Sequence, residues 1–400
     1  MPTASPNTVT ESAEDFSLIV GGPLFQAFRR AYLSGSALEL LRRRIIFFVV
    51  VSWLPLLALS AWEGNAWGHS VAVPFLKDID VHARLLVSLP LLIAAELIVH
   101  QRMRNVIRQF LERKLIPAEV QPQFEAAVAS AKRWRNSAMA ELLILVFVYG
   151  IGVLFIWRKL VEVDLTSWHG TTPGGALHPS LAGWWFGLVS LPLFQFLLFR
   201  WYYRLINWAR FLWLVSRIPL DVLPTHPDRS AGLGFLSNVV YAWVPLLLAQ
   251  GVLLSGMMAN RVLLAGAQFS QFKVDILGLV LLAVVCVLTP LLFFAPQLAQ
   301  AKRNARREYG ALAQRYVREF DQKWLRGGAP AGEEFIGSGD IQSLADLGNS
   351  YQAIQEMRWV PFTTRTILQL GIVTLAPLAP LTLTIVPLDE LVDRLLKTLF

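Results

Sequence analysis

Seven apolar runs, each about twenty residues long, divide the chain, and shorter polar or basic segments separate them. An α-helix of about 20 residues crosses the hydrocarbon core of a bilayer. Closed β-barrels also cross membranes, but their strands alternate apolar and polar residues, and these runs do not alternate. The pattern therefore predicts an all-α fold, a polytopic helical bundle in a lipid bilayer. The predicted spans are Ile45–Ala61, Leu85–His100, Ala140–Trp157, Leu181–Phe199, Phe235–Ala259, Ile276–Ala299 and Ile367–Leu388.

The lysines and arginines change in density at every predicted crossing. Four alternate segments hold 28 of the 36 basic residues, and the four segments between them hold 8. Basic residues accumulate on the cytoplasmic side of membrane proteins, so the N-terminus is predicted to be cytoplasmic. An odd number of spans then places the C-terminus outside, unless the proline-rich last span is re-entrant. The basic segments are 1–44, 101–139, 200–234 and 300–366.

Composition supports this organisation and limits the classes of partner that the sequence predicts. The chain is 55% hydrophobic and 16% charged, with a net charge of +8 and one cysteine. The net charge follows from topology, and no nucleic-acid-binding motif accompanies it, so no nucleic acid partner is predicted. The sequence predicts no cofactor and no metal site. We expect a disordered tail at 1–17, a cytoplasmic amphipathic lead-in at 18–44, and a six-helix membrane bundle at 45–299 with several helices extended into a helical cytoplasmic layer. A basic cytoplasmic helical segment with a glycine-rich loop at 327–340 is expected at 300–366. A seventh span or re-entrant segment with an amphipathic C-terminal helix is expected at 367–400.

A proline recurs inside six of the seven apolar runs, usually followed by leucine. A proline within a helix leaves the carbonyl four residues earlier without its usual donor. In lipid that carbonyl needs another partner or a water-lined cavity, so kinks at one depth could frame a central site, as in transporters. Alternatively, membrane helices simply tolerate these prolines. The predicted kinks are Pro55, Pro90, Pro192, Pro245, Pro290 and Pro377.

Two carboxylates fall within or at the start of apolar runs. Glu96 precedes His100 by one helical turn in the second run, and Glu141 enters the third run at a similar distance from the basic flank. Ionisable side chains within spans usually face the bundle interior and have a partner. Glu96 could pair with His100, or share a proton with Glu141. The functional interpretation of Glu96, His100 and Glu141 is an ion or proton site at the inner mouth of a pathway. The structural interpretation is pairing or snorkelling near water.

The loop IPLDVLPTHPDRSAGLGFL, residues 218–236, is irregular because it contains three prolines and two glycines. Thr225, His226, Asp228 and Arg229 lie within five residues of one another in this loop. Together they could bind an anionic headgroup or a nucleotide, or gate the inner mouth. Alternatively, Asp228 caps the next helix and Arg229 marks the membrane edge.

The segments THPDRSAGLGFL and SLADLGNSYQAIQEMRWVPF, the second at residues 343–362, resemble an uncharacterised group of bacterial inner-membrane proteins. The resemblance covers most of the chain from about residue 25. It implies a polytopic architecture in the bacterial inner membrane. No functional residue is carried over, because the resemblance implies no activity.

Three functions remain open at this point. The leading hypothesis is a channel or secondary transporter for a small solute or ion. The second is a membrane-embedded scaffold or regulatory partner, whose basic cytoplasmic helices bind a protein or anionic lipid headgroups. The third is an integral-membrane enzyme that acts at the cytoplasmic interface. The bilayer is the expected environment, and a homo-oligomer is possible in each case.

Overall fold

The computed structural model describes residues 17–19, 21–23, 25–26, 40–68, 70–152, 167–171 and 178–383, and almost all of its regular structure is helical. A two-residue antiparallel hairpin, β1 Gly170–Thr171 with β2 His178–Pro179, is its one described sheet. The all-α prediction is confirmed. The main helices are α1 Leu41–Trp62, α2 Ile79–Glu112, α3 Gln121–Arg135, α4 Ala138–Ile151, α5 Leu181–Val215, α6 Phe235–Ala265, α7 Phe269–Leu292, α8 Ala295–Phe320, α9 Gly339–Glu356 and α10 Thr364–Leu381.

Within the described residues, six helices are long and apolar enough to cross a membrane. A seventh span results if Ala118–Arg135 and Ala138–Ile151, which bend by 44° at their junction, are counted as one broken span. The chain is therefore a multi-pass membrane protein. The ends of the predicted third and seventh spans, 153–157 and 384–388, lie outside the described residues, as do residues 1–16 of the predicted tail.

The predicted sixth span, Ile276–Ala299, is interrupted in the structure. Helix α7 ends at Leu292, and α8 begins at Ala295 with Pro296 in its first turn. Proline has no N–H to donate to the preceding turn but fits the first turn of a new helix. Hydropathy did not reveal the break because the residues on both sides of it are apolar.

The bundle has a basic end, where α1, α4, α6 and α10 begin and α2, α5 and α7 end. Helix α6 is central: 61% of its most apolar stretch is buried, against 22% for α1. It packs against α2 on one side and α10 on another. Gly251 permits this contact, because a β-carbon there would lie 2.2 Å from the Thr374 carbonyl oxygen of α10. Small residues allow such close approach between membrane helices.

Four of the six predicted kink prolines coincide with a change of helix type. Pro90 and Pro192 follow π-helical turns at Ala83–Ser88 and Phe186–Ser190. Pro245 follows a 3₁₀ turn, and Pro377 lies within one. Such local turns re-satisfy backbone groups that proline leaves without a partner. Pro55 and Pro290 lie inside regular α-helix.

Two carbonyls that prolines leave free are bound by aromatic side chains from neighbouring helices. The Val51 carbonyl, four residues before Pro55, accepts a hydrogen bond from Trp185 Nε1 at 3.2 Å. The Leu188 carbonyl, four residues before Pro192, accepts one from the Tyr149 hydroxyl at 3.1 Å. At these two positions the prolines therefore create helix–helix contacts.

Candidate functional site

Both oxygens of Glu96 are bound by arginines near the basic end. Its Oε1 accepts from Arg204 Nη2 at 2.7 Å and from Arg200 Nη1 at 3.4 Å. Its Oε2 forms an ion pair with Arg44 Nη2. The four side chains are between 1% and 7% exposed. A buried carboxylate is stable only when it is paired in this way, so the contacts explain how Glu96 is accommodated.

Each arginine is supplied by helix geometry. Arg200 and Arg204 are four residues apart on α5 and therefore share one face, whereas Arg44 lies in the first turn of α1. Arg200 Nε also binds Glu141 Oε1, in the first turn of α4, at 3.2 Å. The cluster of three arginines and two glutamates thus joins α1, α2, α4 and α5, and its formal charge is +1.

The pairing of Glu96 differs from both sequence expectations. His100 Nδ1 contacts Ser17 Oγ at 2.7 Å, and the Ser17 carbonyl accepts from Arg135 Nη1 at 2.7 Å. Glu96 and Glu141 do not share a proton, because Arg200 lies between them and binds both. Sequence reasoning missed Arg200 and Arg204 because they were counted as cytoplasmic flank. Their i, i+4 spacing was the signal that could have identified them.

Asp228 organises the 218–236 loop through its backbone. Its Oδ1 accepts from the N–H groups of Ser230 at 2.8 Å and Gly232 at 3.2 Å, and its Oδ2 accepts from Gly234 N–H at 2.8 Å. Burial alone would raise the pKa of Asp228, but these three N–H groups and His226 hold the pKa below its ordinary value. Gly234 immediately precedes α6, so Asp228 fixes the start of the central helix.

The other loop residues lie around this carboxylate. His226 Nδ1 is 3.1 Å from Asp228 Oδ1, and Thr225 is half-buried in the preceding turn. Arg229, with a positive φ of 55°, is exposed and pairs with Glu356 at 2.9 Å. Arg358 donates to the Asp228 carbonyl at 2.7 Å, which ties the loop to the segment after α9. The structure thus brings Thr225, His226, Asp228 and Arg229 together, with Asp228 turned toward backbone groups.

A second polar region lies between α2, α5, α6 and α7. It is a cleft of about 340 Å³, and its polar lining consists of Arg84, Gln195 and Gln250. We call it the Arg84 cleft. Arg84 is five residues from the start of α2, about 8 Å along the helix, whereas Gln250 is 15 residues from either end of α6. The cleft therefore reaches from near the end opposite the basic end to the middle of the bundle.

Polar atoms in and beside the Arg84 cleft lack hydrogen-bond partners among the described residues. They are Arg84 Nε, Gln195 Oε1 and Asp80 Oδ1. Arg84 Nη2 binds Asp80 Oδ2 at 2.7 Å, so the pair is partly satisfied, and each side chain is 23% exposed. Unpaired polar atoms are costly at membrane depth unless water or a ligand reaches them. Arg84, Gln195 and Gln250 line the cleft, so their side chains can supply hydrogen bonds to a small polar molecule inside it.

The bundle end opposite the basic end is tightly packed around Asp78. Asp78 Oδ2 accepts from Trp168 Nε1 at 2.8 Å, and Oδ1 accepts from Asn260 Nδ2 at 2.6 Å. His169 stacks on Trp168, with ring centroids 3.8 Å apart. Burial lowers the pKa of His169 to about 4, so its imidazole is neutral at pH 7. This end of the bundle contains a closed polar network.

No group of three or more His, Cys, Asp or Glu side chains in the described part of the chain is placed to hold a metal ion. Comparison with models of protein families, with curated proteins and with solved structures finds no match to this chain. The function of this chain is therefore inferred from its own residues.

Proposed function

We propose that this multi-pass protein is a channel or secondary transporter for a small polar solute, and that the solute passes through the Arg84 cleft. The observation that carries the proposal is a cleft that reaches the middle of the bundle and has Arg84, Gln195 and Gln250 among its lining residues. Its volume of about 340 Å³ lies at the lower end of the range for ligand pockets. Arg84, Gln195 and Gln250 could bind the donors and acceptors of a small solute, and the other lining residues are apolar.

The pathway proposed here differs from the one expected at Glu96, His100 and Glu141. Those three residues do not line the Arg84 cleft. Both oxygens of Glu96 are already bound, so Glu96 offers no free acceptor to a passing ion. We assign the arginine–glutamate cluster the role of fixing the helices at the basic end. Following the charge distribution and the family resemblance, we place the protein in the bacterial inner membrane with a cytoplasmic N-terminus.

The proposal is tested by solute flux. The purified protein is reconstituted into liposomes, and stopped-flow light scattering follows re-swelling after hyperosmotic addition of urea, glycerol, glycine or a monosaccharide. We expect at least one solute to enter faster than in protein-free liposomes. Gln195→Leu should reduce this rate at least 10-fold, whereas Gln352→Leu, at an exposed glutamine on α9, should not. Rates equal to those of protein-free liposomes for every solute would refute the proposal.

Helices α8 and α9 favour a second candidate, a scaffold that binds another protein. They pack against each other, but only Leu298 and Ala305 of α8 and Ile354 of α9 are buried. Val317, near the C-terminal end of α8, is 49% exposed. Leu325, in the π turn that follows α8, is 70% exposed. Cysteine cross-linking from Val317→Cys in intact membranes, in a Cys286→Ser background, tests this candidate. A discrete cross-linked species would support the scaffold, and its absence would favour the channel or transporter.

The third candidate, an enzyme that uses His226, Asp228 and Arg229 at the membrane interface, receives no such support. Asp228 is engaged by three backbone N–H groups, and that arrangement already accounts for its position. We therefore propose no reaction for this loop.

A further inference from the structure

A basic groove lies between α3 and α5, separate from the Arg84 cleft. Its volume is about 410 Å³, and its lining includes Arg133, Arg210, Arg217, Ser130 and Gln123. Arg210 lies on α5, and Arg217 lies in the turn that follows the end of this helix at Val215. The lining includes no carboxylate. Three guanidinium groups around one groove are suited to bind a phosphate group.

Two of these arginines, Arg210 and Arg217, contact neutral side chains. Arg210 Nη1 donates to Ser130 Oγ at 2.9 Å, and its guanidinium lies 4.5 Å from the centre of the Trp134 ring. Arg217 lies 5.4 Å from the centre of the Trp213 ring. In the part of the chain that the structure describes, Arg133, Arg210 and Arg217 form no ion pair with an acidic side chain. Oriented cations without an acidic partner favour an anionic ligand.

An apolar groove continues from this site along α5. Its volume is about 690 Å³, and Leu143, Phe147, Tyr203 and Ile206 are among the residues that line it, between α4 and α5. Leu143 and Ile206 are 60% and 57% exposed. On a helix that enters a bilayer, such a surface faces lipid acyl chains.

Trp134 connects the two grooves. Its ring stacks on Tyr203, with centroids 6.3 Å apart and planes at 2°, and the Tyr203 hydroxyl donates to the Trp134 carbonyl at 2.6 Å. The guanidinium group of Arg210 lies over the same Trp134 ring. Tyr203 and Arg210 are seven residues apart on α5, about 10 Å along the helix. Tryptophan and tyrosine are common at the level of lipid headgroups, which places this junction at the membrane interface.

We propose that the two grooves together bind one anionic phospholipid. Its phosphate lies among Arg133, Arg210 and Arg217, and an acyl chain lies against Leu143 and Ile206. The adjoining apolar groove favours a lipid over a free phosphate compound. Its volume is about 690 Å³ and its lining contains no charged residue, so an acyl chain can occupy it, whereas a soluble phosphate compound has no apolar group to place there. This site does not depend on the proposed transport function, since it shares no residue with the polar lining of the Arg84 cleft.

The test is native mass spectrometry of the purified full-length protein in detergent. Phosphatidylglycerol is added, and phosphatidylcholine and glycerol 3-phosphate serve as the zwitterionic and soluble comparisons. We expect phosphatidylglycerol adducts to form at concentrations at least 10-fold lower than either comparison. The double variant Arg210→Gln with Arg217→Gln should lose this preference. The matched control, Arg306→Gln with Arg307→Gln, removes the same charge from exposed positions of α8 and should retain it.

A second variant keeps the proposal testable if removing the arginines impairs folding. Ile206→Trp leaves all three arginines in place and partly fills the apolar groove, so it should weaken phosphatidylglycerol binding several-fold. Equal binding of phosphatidylglycerol and phosphatidylcholine would overturn the proposal. Equal binding of glycerol 3-phosphate would overturn the lipid assignment in favour of a soluble phosphate ligand.

Discussion

The Glu96 cluster and the Arg84 cleft place charged groups within membrane-spanning helices, but they differ in how completely their carboxylates are paired. Both oxygens of Glu96 are bound by arginines, and the side chains around it are nearly inaccessible. Beside the cleft, Asp80 Oδ2 is bound by Arg84, whereas Asp80 Oδ1 has no hydrogen-bond partner among the described residues. A carboxylate in a span therefore indicates a solute site only when its partners leave some of its hydrogen-bonding capacity unused.

We expect the greatest loss of stability from a substitution in the Glu96 cluster. Glu96→Gln leaves Arg44, Arg200 and Arg204 buried with Glu141 as the remaining carboxylate of the cluster. Removing one partner of a buried ion pair costs about 3–5 kcal/mol of folding free energy, so we expect a large fall in the thermal unfolding temperature in detergent. The control is Glu112→Gln, because the Glu112–Arg108 pair is more than half exposed and its loss should cost less than about 1 kcal/mol. Normal stability with abolished flux would make Glu96 a pathway residue and reverse the comparison.

An intermediate effect is expected where α6, which lines the cleft, meets α10. A methyl group at Gly251 would overlap the Thr374 carbonyl, so Gly251→Ala should destabilise the protein by about 1–3 kcal/mol. At Gly278 of α7 an added β-carbon meets nothing within 4 Å, so Gly278→Ala should have little effect. Thermal unfolding of the two variants measures the difference. Equal stabilities would show that the close contact between α6 and α10 is not required.

A smaller, pH-dependent effect is expected at the end opposite the basic end. The pKa of His169 is about 4 in the folded protein and about 6.5 when unfolded, so the unfolded chain binds the extra proton between these values. Stability should therefore be complete above pH 6.5, fall as the pH decreases from 6.5 to 4, and level off below. We expect a contribution on the order of 1 kcal/mol.

His169→Phe keeps an aromatic ring on Trp168 and should remove this part of the pH dependence of the unfolding temperature. His178→Gln, at an exposed histidine of the same loop, should retain it. If the two variants show the same pH profile, burial of His169 does not contribute to stability.

The smallest effect on stability is expected at the Arg84 cleft. The Arg84–Asp80 pair is partly exposed, so Arg84→Gln should change the unfolding free energy by only about 0.5 kcal/mol. Its effect on solute flux should be at least 10-fold, because the variant removes the cation of the cleft. A large loss of stability with unchanged flux would assign Arg84 the same structural role as the arginines around Glu96.

The spans could be predicted from sequence because hydrocarbon permits only helices whose backbone groups are satisfied internally. Glu96 could be singled out for the same reason. Its arginine partners could not be predicted, because Arg200 and Arg204 are more than 100 residues away and their contact depends on the rotation of α5. The break before Pro296 was missed because it lies between apolar residues.

The Arg84 cleft could not be predicted from the pattern of apolar and polar residues either. Arg84 falls in a segment counted as an outer loop, although α2 begins at Ile79. Gln195 and Gln250 are single amides within apolar runs, and a single amide hardly changes the mean hydropathy of a window of about twenty residues. Only the packing of α2, α5, α6 and α7 brings these three side chains together.

The proposal that a solute passes through the Arg84 cleft requires water to reach Gln195, and thiol labelling measures whether it does. Cys286, the single cysteine, is replaced by serine, and Gln195→Cys or Ala95→Cys is introduced into that background. A membrane-impermeant methanethiosulfonate reagent is then added to protein in sealed and in permeabilised vesicles. We predict rapid labelling at position 195 in the cleft and no labelling at position 95, which is fully buried beside Glu96. Labelling at position 95 without labelling at position 195 would contradict the account.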